Sequence, residues 1–270
     1  MAAGTDVGAG GVVLYGADLA RVHDSGFGQV ALAAAGTLMR LLAESGFAAG
    51  RVVDLGCGSG VLAARLEGSG YHVLGIDLSP EMVALARERA PAAGFRVGSC
   101  LDAEIPPCCA VAAVGEVFSY LADSRDLDAR LAGLFQRAHA ALLPGGVFLF
   151  DVAGPGRYPA SGVCRAFWEG DGWTVLVEAR EDRAARTRER RIVSFVEEGG
   201  LFRRAEEVHL QHLYTWSQLA SSVRRAGFRV RPLRGYDGLP LAKGCLGFLA
   251  RGPATSRSAR GPRGAGRFPA

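Results

Sequence analysis

The chain has 270 residues, 49% of them hydrophobic and 21% charged, a composition that excludes a fibrous or wholly disordered protein. A chain of this length buries enough apolar surface to stand without disulfides or a structural metal, and no apolar run reaches the roughly 18 residues of a membrane span. The net charge of +4 sits at one end: residues 251–270 hold five arginines and no acid, so residues 1–250 carry −1, and a near-neutral fold makes nucleic acid an unexpected partner.

Residues 1–10 are small and glycine-rich and read as loose chain. Asp18–His23 predicts a short helix, and residues 1–27 read as a lid segment in front of a main domain over 28–250. Gly28–Phe47 predicts a longer helix with Leu38, Leu41 and Leu42 on its apolar face and Gly46 as its stop. Strand and helix patterns then alternate. Arg51–Leu55 predicts a strand, Gly60–Glu67 a helix and Tyr71–Ile76 a second strand. Ser79 as N-cap and Pro80 at the first helical position open a helix to about Ala90. Phe95–Val97 and Ala110–Gly115 are the next strands, Ser124–Leu143 is a long helix ended by Pro144-Gly145-Gly146, and Val147–Asp151 is the fifth strand. This rhythm predicts an α/β, Rossmann-like fold with a mainly parallel sheet and helices on both faces.

After Asp151 the pattern changes. Trp173–Glu178, Arg190–Glu197 and Phe202–Tyr214 predict antiparallel strands, with Gly199-Gly200 as a two-residue hairpin turn, in a β insertion spanning about 160–214. Thr215-Trp216-Ser217-Gln218 fits a capping box for a helix to Ala226 stopped by Gly227, and Phe228–Arg234 and Cys245–Ala250 are the last strands. Residues 251–270, rich in Gly, Pro, Ser and Arg, read as a disordered basic tail. None of the six cysteines forms a C-x-x-C pair, and His209 and His212 fall on opposite faces of a strand, so no metal is expected. With no leader-like segment, the cysteine usage reads as a reducing cytoplasm.

The chemistry concentrates in Val52-Val53-Asp54-Leu55-Gly56-Cys57-Gly58-Ser59-Gly60, which runs from a buried strand into a helix. Glycines let the backbone turn tightly against a ligand. A dinucleotide fingerprint would need a third glycine at Val61, and Asp54 would repel a pyrophosphate. Asp77, ending the second strand, suits ribose hydroxyls. A ribose-bearing cofactor with cationic groups, S-adenosylmethionine (SAM), satisfies both acids.

These residues resemble the class I SAM-dependent methyltransferases of small-molecule type. The resemblance is good over about 50–155 and looser over the final helix and two strands. It implies a sheet of seven strands with the last antiparallel. It also implies a DLGCGSG loop (Asp54 to Gly60, with Gly56, Cys57, Gly58 and Gly60) around the methionine part of SAM, Asp77 on the ribose, and Leu78 and Met82 beside the adenine. The LLPGG run, Leu142–Gly146, looks like the family's turn before strand five. The family often has an Asp near the end of strand three that binds the adenine amine. Here Gly98-Ser99-Cys100-Leu101-Asp102 puts Ser99 at that place and Asp102 three residues on, so Ser99, Cys100 and Asp102 are all candidates.

Methyl transfer needs alignment of nucleophile and methyl group, with a base where the acceptor is an amine or hydroxyl. Sites in open α/β sheets lie at the carboxyl ends of the strands. That points to Gly115 for the cofactor and to Glu116 and Tyr120 as catalytic candidates. By position Tyr120 resembles a base used by some small-molecule N-methyltransferases. Tyr15 and His23 in the lid segment, Arg157 after strand five as a contact for an anionic acceptor, and His209, on one strand face with Glu207 and Gln211, are candidate acceptor contacts. No N-P-P-Y-type motif stands after strand four, which disfavours DNA bases. The expected activity is methyl transfer from SAM to an N or O atom of a small molecule, giving S-adenosylhomocysteine (SAH). The insertion sits as in sugar-amine or glycine-type N-methyltransferases. The alternatives are an enzyme acting on RNA or protein, a non-catalytic SAM-binding domain, or an NAD(P)-dependent oxidoreductase.

Overall fold

A computed structural model describes residues 14–121, 126–159 and 162–252; the start of the expected lid segment, Ser124 and most of the basic tail lie outside them. The chain opens with α1 (Ala17–Gly26) and α2 (Gln29–Glu44). Then come β1 (Gly50–Leu55), α3 (Val61–Glu67), β2 (Tyr71–Asp77), α4 (Pro80–Arg89), β3 (Gly94–Val97), β4 (Cys108–Ala113), α5 (Leu127–Ala141) and β5 (Leu142–Ala153). A meander follows, β6 (Cys164–Gly170), β7 (Trp173–Asp182), β8 (Thr187–Glu198) and β9 (Leu201–His212). The chain closes with α6 (Trp216–Arg225), β10 (Arg229–Leu233), the small hairpin β11 (Gly235–Tyr236) and β12 (Leu239–Pro240), and β13 (Cys245–Arg251).

Seven strands form one sheet in the order β10-β13-β5-β4-β1-β2-β3, with β13 antiparallel to both neighbours. Period-two alternation along β5 explains why the sheet carries two cores. Phe148, Phe150 and Val152 face Leu134 and Phe135 of α5 and Val223 of α6, whereas Val147 and Leu149 face the side covered by Leu38 and Leu42 of α2 and Leu62 of α3. This is the class I methyltransferase fold.

Local signals set the element ends. Ser79 Oγ accepts from Met82 N at 3.0 Å to cap α4, and Thr215 with Gln218 makes the capping box of α6. Gly199 and Gly200 turn the β8–β9 hairpin at φ +61° and +79°. The LLPGG run is no turn before strand five: Leu142 already pairs with Cys108, and the residues up to Val147 bulge before pairing resumes at Ala110. The α5 helix therefore ends at Ala141 rather than at Leu143.

The β6–β9 sheet stands over the carboxyl ends of the parallel strands. A bridge between Tyr120 and Gln211 and a bond from Leu121 N to Leu210 O tie β9 to the segment after β4. The inner face of the insertion packs Val175, Ile192 and Val196 on Leu19 and Val22 of α1. Its edge strand β6 is absent from the sequence reading, because its residues from Arg165 to Gly170 are exposed and alternation leaves no signal there.

Candidate active site

The β1–α3 loop is a tight backbone cradle. Gly56 N and Cys57 N both donate to Ile76 O, at 2.7 and 3.1 Å. Gly56 and Gly60 have positive φ, and a side chain on either would strike Val117 or the backbone of α4. At Gly58 and at Gly115 a Cβ would meet nothing within 4 Å, so both present bare backbone to open space.

Two carboxylates border this cradle. Asp77 accepts from Gly58 N at 2.8 Å and from Ser79 N at 2.9 Å, and burial raises its pKa. Asp54 is buried beside it, with Oδ2 lacking any hydrogen-bond partner. Burial and then the Asp77 charge push the Asp54 carboxyl up to about 8. A buried carboxylate with an orphaned oxygen calls for a cation. A cofactor carrying an ammonium group and ribose hydroxyls therefore fits the residues present, with Asp54 for the former and Asp77 for the latter.

The other expected cofactor contacts are scattered. Met82 is buried, Leu78 is about half exposed, and Cys100 is half-buried with its thiol pushed up to about 12 by burial. Ser99 Oγ accepts from Leu101 N at 3.3 Å, capping a short turn. Asp102 turns outward, is well exposed and accepts from Arg130 at 2.6 Å, so an adenine contact there is not supported.

Tyr15, His23, Tyr120 and His209, drawn from three separate parts of the chain, converge. The Tyr15 and Tyr120 hydroxyls lie 2.8 Å apart, and the Tyr15 ring centroid is 5.0 Å from His209 and 5.2 Å from His23. Tyr120 accepts from Arg190 Nη2 at 2.7 Å. Glu207 holds the cluster together, accepting from Tyr15 N, Gly16 N and His209 Nε2 at 2.7 to 2.9 Å. That bond puts the His209 proton on Nε2 and leaves Nδ1, which has no partner, as a lone pair. Burial lowers the pKa of His209, and burial followed by the Arg190 charge pushes His23 down to about 4, so both imidazoles are neutral at pH 7. Burial and then Tyr120 keep the Tyr15 phenol above its ordinary range.

The α1 helix covers this cluster and is fastened at both ends. Arg203 donates to Asp18 at 2.9 Å, and Ser79 Oγ donates to Tyr15 O at 2.9 Å. Arg89 binds Asp24 and also donates to Ser59 O at 2.7 Å in the cradle. The aromatic cluster and the cradle are therefore joined through Tyr15, Ser79 and Asp77.

Two sequence expectations need correction. Glu116 is not poised as a base: Arg188 at 3.1 Å, Arg157 at 2.9 Å and Gln211 at 3.2 Å occupy its carboxylate. It sits at φ +62° with its amide on Asp151 Oδ1, locking the strap after β4 to β5. Arg157, expected to meet an anionic acceptor, is spent on Glu116 and on Lys243 O. The reading also missed Arg188, Arg190 and Asp151. Alternation along β8 carried a signal for the arginines, because Ile192, Ser194 and Val196 face inward and Arg188 and Arg190 continue their row.

The comparisons agree with this geometry. Residues 52–146 match the family described as Methyltransferase domain. The dTDP-3-amino-3,6-dideoxy-alpha-D-glucopyranose N,N-dimethyltransferase of Streptomyces fradiae is 29% identical over 245 residues, covering 85% of this chain and 94% of that one. Among solved structures, the sugar N-methyltransferase KedS8 of Streptoalloteichus sp ATCC 53650 superimposes with a TM-score of 0.71 at 22% identity, over 94% of this chain and 99% of that one. DesVI of Streptomyces venezuelae does so with 0.72 at 23% identity, over 88% and 98%. With the cradle, the paired acids and the seven-stranded sheet already in place, residues 52–146 carry a methyltransferase domain within the class I methyltransferase fold.

Proposed function

We propose that this enzyme methylates an amine on a small, sugar-like molecule held beneath α1. The observation that carries the reading is the enclosed cluster of Tyr15, His23, Tyr120, Arg190 and His209. Tyr15, His23 and Arg190 keep some accessible surface although the chain surrounds them on nearly every side. So enclosed a cluster suits a small acceptor better than an RNA or protein surface. The relative matched over most of both chains acts on an amino sugar, which supports an amine as nucleophile.

SAM supplies an electrophilic methyl group on a sulfonium. Asp54 and Asp77 would hold the cofactor's ammonium and ribose, and the bare backbone of Gly58 and Gly115 would allow its close approach. The Tyr15 and Tyr120 hydroxyls orient the acceptor nitrogen. The His209 Nδ1 lone pair receives the proton that the methylated amine releases, with Glu207 fixing the tautomer. The α1 helix excludes water and must release at one end for exchange. The six cysteines are free, which supports a reducing compartment; among the described residues no single helix is long and apolar enough to cross a membrane.

The test is mass spectrometry of products from matched sugars that differ only in an amine or a hydroxyl at one carbon. A methyl gain on the amine alone supports the proposal. Methylation of the hydroxyl analogue alone would assign the enzyme to O-methyl transfer.

A further inference from the structure

Two arginines of β8 face inward two residues apart, and their surroundings differ. Arg188 is fully buried between Glu116 at 3.1 Å and Glu181 at 3.4 Å. Arg190 donates to the Tyr120 hydroxyl and stacks on its ring at 5.7 Å, but among the described residues it forms no ion pair. Its Nε is buried without a hydrogen-bond partner. The nearby acids are committed elsewhere: Glu116 to Arg188, Arg157 and Gln211, and Glu207 to two lid amides and His209. His23 and His209 beside it are neutral and offer no counter-charge. An enclosed guanidinium with one partner for its five N–H groups is short of an anion.

We infer that Arg190 anchors an anionic oxygen group, a phosphate or a carboxylate, carried by the methyl acceptor close to its reacting atom. This rests on the reading of the cluster as the acceptor chamber. The planar guanidinium matches either oxyanion through paired N–H donors. Because the same group touches Tyr120, the anion's position fixes where the nucleophile stands relative to the two tyrosine hydroxyls. The acceptor's charge is thus read by Arg190, on the insertion, and not by Arg157 after strand five. A neutral amino sugar would leave the guanidinium unanswered and be a poor substrate.

The test is calorimetric titration of the SAH-saturated full chain with inorganic phosphate and, separately, with acetate. One of the two binds, and the tighter one names the group. Arg190→Gln weakens that binding by about tenfold or more while SAH affinity stays within about twofold. Should Arg190→Gln fail to fold, Arg190→Lys decides, since it keeps the charge but loses the fork and gives a smaller loss. Equal anion affinity in the variant that folds, or no binding of either anion by the wild-type chain, overturns the inference. A wild-type chain that bound no SAH would instead break the methyltransferase reading, and titration without SAH would then judge the anion site alone.

Discussion

Residues 54–60 build their part of the site from backbone, whereas the β6–β9 sheet and α1 build theirs from side chains. In the cradle, glycines at forced φ and close packing leave one acceptable residue at a position, and two acids complete the chemistry. In the cluster beneath α1, Tyr15, Tyr120, Arg190, Glu207 and His209 come from two strands and two connecting segments, and each is an ordinary residue in its own stretch. A cofactor shared by many reactions is bound by geometry that a sequence must spell out. The cluster proposed for the acceptor is instead a product of tertiary assembly.

The comparison can be broken at the joint between the two regions. Glu116→Ala removes the acid that answers Arg188 and Arg157. Leaving those guanidiniums uncompensated should cost about 3–5 kcal/mol of stability, seen as a lower midpoint in urea unfolding. Unchanged stability with a collapse of turnover would return Glu116 to a catalytic role. On the cradle side, Asp77→Ala removes the acceptor for two backbone amides and for the ribose. It should weaken SAH binding by about a few hundredfold in calorimetry. On the acceptor side, His209→Gln should lower kcat by about a hundredfold or less, with KM and SAH affinity nearly unchanged. A parallel loss of SAH binding would show that the two regions are not separable.

A smaller effect is in pH. The free protein holds the Asp54 carboxyl up near 8, so at pH 6 it carries a proton that must leave before an ammonium can pair with it. SAH affinity should therefore rise between pH 6 and 8 by up to roughly tenfold per unit and level off above, and Asp54→Asn should flatten the curve. The raised pKa has the opposite effect on the empty chain. The proton is bound more tightly folded than unfolded, so the chain loses stability as the pH climbs from about 4 toward 8.

How much of this was legible follows the same division. The βα alternation, the caps at Ser79 and Thr215 and the Gly199-Gly200 turn are local, and each stands where local chemistry predicts. The bulge in β5 and the exposed strand β6 are not local: the first depends on pairing with Cys108, the second on a neighbour, Trp173 to Ala179, that supplies its hydrogen bonds. Glu116 reads as a catalytic candidate because it follows strand four, and only the tertiary approach of Arg188, 72 residues away, shows its lone pairs taken.

Asp54, Asp77 and the glycine cradle are proposed to select SAM over a dinucleotide. Thermal unfolding of the wild-type chain with saturating SAH, and separately with NAD, tests that selection most directly. SAH should raise Tm, the rise should be lost in Asp77→Ala, and NAD should give none. Stabilisation by NAD and none by SAH would contradict it.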